Sequence, residues 1–378
     1  MGYGRAPRIM LAMASTVAFL REFLRPGSVG IREEETTYRR GDRLLPATLF
    51  GPVDPKPALP GWMTLHGLTY RGREHETLRR FSRALAASGA VVLVPDLPEW
   101  RALRVAPRTT VHTIKAAVPE LDSRGLAAPG RIGVMGFSFG ATQALIAASD
   151  PELEGHLAGV AAWGGYGDMR RVAQFMFLGN HELDGQSYHA DPDPYGRWIL
   201  AGNYLELLPE FRRDGRLPRE LLGLASEAGR RGILSWDAAM DPFKLRARQR
   251  VDPAQREVFD LFAPPAGVRL DADQETRVRA IIEPAIDRAL DLEPLLEPGP
   301  FLPRVPVPVF LAHGRDDRLI PWTEMLRLER NLPPERVRAS GTTSLFSHSF
   351  GERRLPSPGM VVEAARFIRL LRSMLNLI

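Results

Sequence analysis

Three side chains at separated points of the sequence have the types needed to activate a hydroxyl: a serine, an acid and a histidine. Ser138 lies in Gly136-Phe137-Ser138-Phe139-Gly140, a G-x-S-x-G pattern. A serine hydroxyl is a weak nucleophile near neutral pH. It needs a base to take its proton, and the base needs an anion that fixes its tautomer and stabilises its imidazolium form. Behind Ser138, the next loop beyond a strand end that carries an acid is His313-Gly314-Arg315-Asp316-Asp317. One β-α-β step later comes His348. The gap from Asp317 to His348 (348 − 317 = 31 residues) leaves room for one helix and one strand, which sets both groups at neighbouring strand ends.

The elements around Ser138 must hold it out for reaction. Ile132 to Phe137 is an apolar run, bounded by Gly130-Arg131 before and Gly140 after, and reads as a short buried strand. Ala141 to Ala148 is small and Ala-rich, and reads as a helix able to lie close against a sheet. A strand that reverses into a helix this tightly forces its serine into a strained backbone conformation. Side chains at 136 or 140 are expected to crowd neighbouring backbone. By itself the pattern is unspecific; between a strand and a helix it becomes much more specific.

The rest of the chain repeats the same rhythm. Residues 31–50 read as antiparallel edge strands around Gly41-Asp42. Strands follow at Trp62–Leu65, Val91–Val94 and Leu157–Trp163, with helices at 73–88 and 109–123. This interval implies a parallel sheet covered on both faces, with ligands beyond the carboxyl ends of its strands. His66, Asp96, Ser138 and Gly164 all fall just past such ends. From about 166 to 300 the rhythm breaks. No β-run is evident there, and helices are expected at 194–208, 218–230, 253–262 and 274–292. Strands resume at Val305–Ala312 and near Val337, helices at 322–331 and 358–377. The expected division is an N-terminal arm (1–30), an α/β core (31–165 with 301–378) and a helical insertion (166–300).

In these features the sequence resembles the α/β-hydrolase superfamily. The resemblance rests on Leu65-His66-Gly67, the elbow at 136–140, His313-Gly-Arg-Asp-Asp317 with Leu319-Ile320-Pro321, and a near-terminal histidine. It covers about 60–165 and 301–378 and hardly touches the insertion. It implies a mostly parallel, doubly wound sheet with a helical cap inserted after strand 6. It also implies Ser138 as nucleophile, Asp317 as the acid and His348 as general base, in the order Ser…Asp…His. Backbone N–H groups of Leu68 and Phe139 would form the oxyanion hole. The expected activity is hydrolysis of an uncharged or weakly polar carboxylic ester through an acyl-enzyme. A peptidase, thioesterase or acyltransferase would use the same apparatus, and a non-catalytic binding protein would keep only the fold. Phe175, Phe177, Trp198 and Tyr204 either line an acyl pocket or pack the insertion's own core.

Asp316 and Asp168 are alternative acids, and His348 stands in Ser-His-Ser rather than the commoner Gly-His. His66 and His313 read as structural residues shaping glycine turns. His75 and His181 each precede Glu but lack the second histidine of H-E-x-x-H, so a zinc-protease reading fails. No G-x-G-x-x-G or Walker pattern appears, so no cofactor and no metal is expected.

Composition sets the outer bounds. Of 50 basic residues only Lys56, Lys115 and Lys244 are lysines, so 50 − 3 = 47 are arginines, interspersed with Asp and Glu. With a net charge of only +5, this mixture gives no nucleic-acid footprint. The absence of cysteine excludes disulfides and a thiol nucleophile. Arg5 and Arg8 precede the uncharged run Ile9–Leu20, and no small-x-small cleavage site follows. This segment reads as a helix packed on a cytoplasmic protein, with weak membrane-surface contact through 9–24 or an uncleaved signal as the alternatives. The expected partner is a small-molecule ester.

Overall fold

A computed structural model describes residues 5–54, 59–212, 215–345 and 358–378. Among the described residues ten strands occur in chain order: β1 (Ile31–Arg40), β2 (Arg43–Pro52), β3 (Gly61–Leu65), β4 (Val91–Pro95), β5 (Ile132–Phe137), β6 (Gly159–Trp163), β7 (Asn180–Leu183), β8 (Gln186–His189), β9 (Val309–Gly314) and β10 (Val337–Thr343). Eight of them form one sheet in the order β1-β2-β4-β3-β5-β6-β9-β10. β1 and β2 pair antiparallel, as do β2 and β4; every other pair in this sheet is parallel. β3 to β6 and β9 are apolar nearly throughout because both of their faces are covered.

Close approach governs the centre. All ten residues of the helix Phe139–Ala148 are buried. Only a run dominated by small side chains lets such a helix settle directly on the sheet. Gly133 of β5 lies against the ring of Trp62, which occupies the space a side chain would take. On the other face, Phe19, Trp62, Phe81, Trp163 and Phe310 gather in a second core cluster.

The N-terminal helix, Arg5–Leu24, belongs to that second cluster. Phe19 is 1% exposed and meets Phe81 edge-on at 5.1 Å. Burying one such ring contributes about 2 kcal/mol. Glu22 is fully buried yet satisfied, accepting from Gly27 N and Val29 N at 2.9 Å each and from Arg83 Nε at 3.2 Å. Burial would raise its pKa, but these donors outweigh that and hold it below the ordinary value. The helix is thus packed on the body, and no helix among the described residues is long and apolar enough to cross a membrane.

The stretch between β6 and β9 differs from its sequence reading in three places. β7 and β8 form an antiparallel hairpin where no β-run was expected. Its strands expose most of their residues, so alternation of polarity is missing, and the Asp184-Gly185 turn, with both φ positive, was the one visible signal. A helix at Met169–Leu178 is capped by Asp168 and closed by Gly179 at φ +75°. Another, Asp241–Arg250, buries only Lys244 and Ala247 and so carries no apolar periodicity.

Candidate active site

The carboxyl ends of the central strands stand in one row. Leu65 pairs with Gly136, Phe137 with Trp163, Trp163 with Ala312, and Gly314 with Thr343. Ser138, Asp317 and the chain beyond β10 therefore leave the same edge of the sheet. β5 and β9 are separated by β6 alone, two strand spacings or roughly 10 Å.

Ser138 has φ 57° and ψ −129°, an arrangement rare for a residue with a side chain. Its surroundings impose it. Its N–H still donates to Trp163 O at 2.8 Å, while its C=O already accepts from Ala141 N at 2.9 Å. A Cβ at 136 would overlap the carbonyl of Gly140 and the amide of Ala141. At 140 the crowding is with side chains rather than backbone, since a Cβ would stand 3.2 Å from the Trp100 ring and 3.3 Å from Leu65 Cβ. Phe139 opens the following helix, where N–H groups have no intrahelical acceptor.

On the neighbouring strand end, His66 holds the loop that carries Leu68. Its Nε2 accepts from Leu97 N at 3.1 Å, so the proton sits on Nδ1, 2.8 Å from Gly67 O. Burial keeps this ring neutral and lowers its pKa to about 4. Trp100 wedges between the loops, edge-on to His66 and to Phe139, each at 5.5 Å.

Asp317 is 4% exposed, whereas Asp316 is exposed. One oxygen of Asp317, Oδ1, accepts from Leu319 N at 2.9 Å and Ile320 N at 3.0 Å. His313, also buried, places Nε2 2.9 Å from Ile320 O and 3.7 Å from Asp317 Oδ2. Its ring closes the acid loop onto the strand. Asp168 serves otherwise. It caps the helix 169–178 by accepting from Arg171 N at 2.8 Å, and its second oxygen pairs with the Arg171 guanidinium at 3.1 Å. His348 itself lies outside the described residues.

The helix Pro194–Tyr204, from the stretch after β6, touches both loops. Tyr195 Oη donates to Leu68 O at 2.9 Å, Asp193 N donates to Arg318 O at 2.8 Å, and Leu319 abuts Gly196. The sequence reading missed these contacts. Its only signal was Asp191-Pro-Asp-Pro194, a helix-start pattern that places Asp193 at the cap. Phe175, Phe177, Trp198 and Tyr204 are all buried. Trp198 Nε1 donates to Phe262 O at 3.0 Å, and Phe177 packs edge-on to Phe262, contacts that belong to an internal core.

A mostly parallel eight-stranded sheet with a serine turned out between β5 and its helix decides the architecture. This is an α/β-hydrolase fold. No protein-family model and no curated protein matches the sequence. Among solved structures, the chain is similar to 2,6-dihydroxy-pseudo-oxynicotine hydrolase, at 16% identity and TM-score 0.43 over 83% of this chain. It spans 62% of that protein's length. It is also similar to brefeldin A esterase, described as a bacterial homologue of human hormone-sensitive lipase. Identity there is 19% and TM-score 0.47, over 99% of this chain and 84% of the esterase. An esterase of Pyrobaculum calidifontis is similar at 16% identity and TM-score 0.48, over 98% of this chain and 92% of that one.

Proposed function

We propose that the protein is a serine hydrolase that cleaves carboxylic esters through an acyl-enzyme. The observation that carries this reading is the backbone of Ser138, held at φ 57° at the carboxyl end of β5 with a helix start beside it. Strain of this kind, about 1–3 kcal/mol, persists only where the surroundings over-determine it, and it concentrates at reactive sites.

In this reading Ser138 is the nucleophile, His348 the general base and Asp317 the acid that orients it. His348 removes the Oγ proton as Oγ bonds to the ester carbonyl carbon, and the carbonyl oxygen becomes an oxyanion. The N–H groups of Phe139 and Leu68 stabilise that charge. The imidazolium returns its proton to the departing alkoxide, leaving the acyl-enzyme. Water, deprotonated by the same base, then releases the acid and restores Ser138. Burial of Asp317 and its two backbone donors support its choice over Asp316, because they hold one carboxylate oxygen in a fixed place. The stretch between β6 and β9 acts as a cap that limits substrate size, supported by the contacts of Tyr195 and Gly196 with the two loops.

Ser138→Ala lowers turnover of a p-nitrophenyl ester by on the order of 10³ or more. A fluorophosphonate labels Ser138 in the parent protein and nothing in the variant. Undiminished turnover by clean, folded variant would end the proposal.

A further inference from the structure

Arg197 is a buried cation that the catalytic scheme leaves unused. It lies one turn into the helix Pro194–Tyr204, with only 9% of its surface exposed. A guanidinium has five N–H donors. Among the described residues none of them makes a hydrogen bond, and no carboxylate stands within ion-pair distance. Its Nε is sealed from solvent with no acceptor. Asp193, one turn earlier, acts on it only through its field; one oxygen of that carboxylate is engaged by Tyr195 N and Ser235 Oγ.

A buried guanidinium this poor in acceptors is expensive unless something else supplies an anion. The place it occupies says what that is. On a helix, positions 193, 197 and 204 share a face. At one end of that face Asp193 N is bonded to the carbonyl of Arg318, the residue after Asp317. At the other end Tyr204 is buried in the same core cluster as Tyr166, whose ring stacks on Phe139, next to Ser138, at 6.1 Å. Arg197 thus lies on the helix whose first turn bonds both the acid loop and the loop of Leu68.

We infer that Arg197 is a specificity residue that binds a carboxylate on the substrate, so that the preferred ester carries a negative charge remote from its scissile bond. A planar guanidinium fork matches a carboxylate with two parallel N–H···O bonds. This deepens the serine hydrolase reading and rests on it for the word substrate, but not for the anion site itself. It also replaces the uncharged ester expected from sequence with a charged one.

The test uses the full chain and two p-nitrophenyl esters of similar size, the anionic hemiglutarate and the neutral valerate. The parent protein is expected to prefer the anionic ester in kcat/KM by on the order of 10²-fold, mostly through KM. Arg197→Met brings the ratio toward one, and Arg197→Lys keeps part of it. Separately, glutarate raises the melting temperature of both the parent and Ser138→Ala proteins, and diethyl glutarate does not. If Arg197→Met fails to fold, the parent's ester preference and its protection by glutarate decide the matter. Absence of either overturns the inference, and stronger protection by inorganic phosphate overturns the choice of carboxylate. Full activity of Ser138→Ala with glutarate protection intact would instead sink the hydrolase reading and leave the anion site standing.

Discussion

The turn after β5 and the loop after β9 leave the same edge of one sheet, yet they are held by different physics. The first is held by exclusion: Ser138 keeps a strained φ because glycine at 136 lets the chain reverse against Gly140, and Trp100 and Leu65 press on 140. The second is held by attraction. Asp317 gathers two backbone N–H groups, and the His313 ring closes the loop at Ile320 O. A site held by exclusion tolerates no added atom. A site held by hydrogen bonds tolerates any change that preserves acceptors, while its chemistry remains sensitive to charge.

Substitutions can break that contrast or sharpen it. The largest expected effect is catalytic. Asp317→Asn keeps an oxygen for Leu319 N and Ile320 N, so melting temperature moves by no more than a few degrees, while ester turnover drops on the order of 10³ to 10⁴. A loss of folding in that variant would show that charge, rather than acceptor geometry, holds the loop. Gly136→Ala should act in the opposite way, destabilising the fold by about 3 kcal/mol or more in urea titration, because its methyl meets backbone that cannot move alone. An unchanged midpoint would remove exclusion as the explanation.

The smallest effect is graded with pH. His66 has its pKa lowered from 6.5 to about 4, so the unfolded chain binds more protons between those values. Stability therefore rises with pH across that window. The contribution is complete above about pH 6.5 and is lost as pH falls toward 4, to a total of about 3 kcal/mol. Urea midpoints at pH 7 and 4.5, compared between parent and His66→Gln, isolate it; parallel curves would remove His66 from the account.

Much of the frame was legible in residue order. Buried parallel strands carry unbroken apolar runs, and β3, β4, β5, β6 and β9 all do. The edge pair β1–β2 was marked by its Gly41 turn, and the elbow by glycines whose need is local. Legibility failed where elements are polar on most sides. The β7–β8 hairpin and the helix Asp241–Arg250 bury too few residues to show a period. The helix after Asp168 was marked by cap and glycine alone, and its aspartate was weighed as a catalytic acid instead.

What the residue order determined by itself is what neighbours along the chain decide: strand and helix periods, the tight reversal at Ser138, and an acid in the loop after a late strand. Tertiary structure alone decided how polar groups far apart in sequence share their partners. It assigned Asp168 to Arg171, set the His66 ring between Gly67 and Leu97, and left Arg197, one of 47 arginines, buried on the helix that bonds the loops of Leu68 and Asp317. The physical reason is range. Propensity and periodicity act over a few residues, whereas the energy of a buried charge depends on every group that folding brings around it.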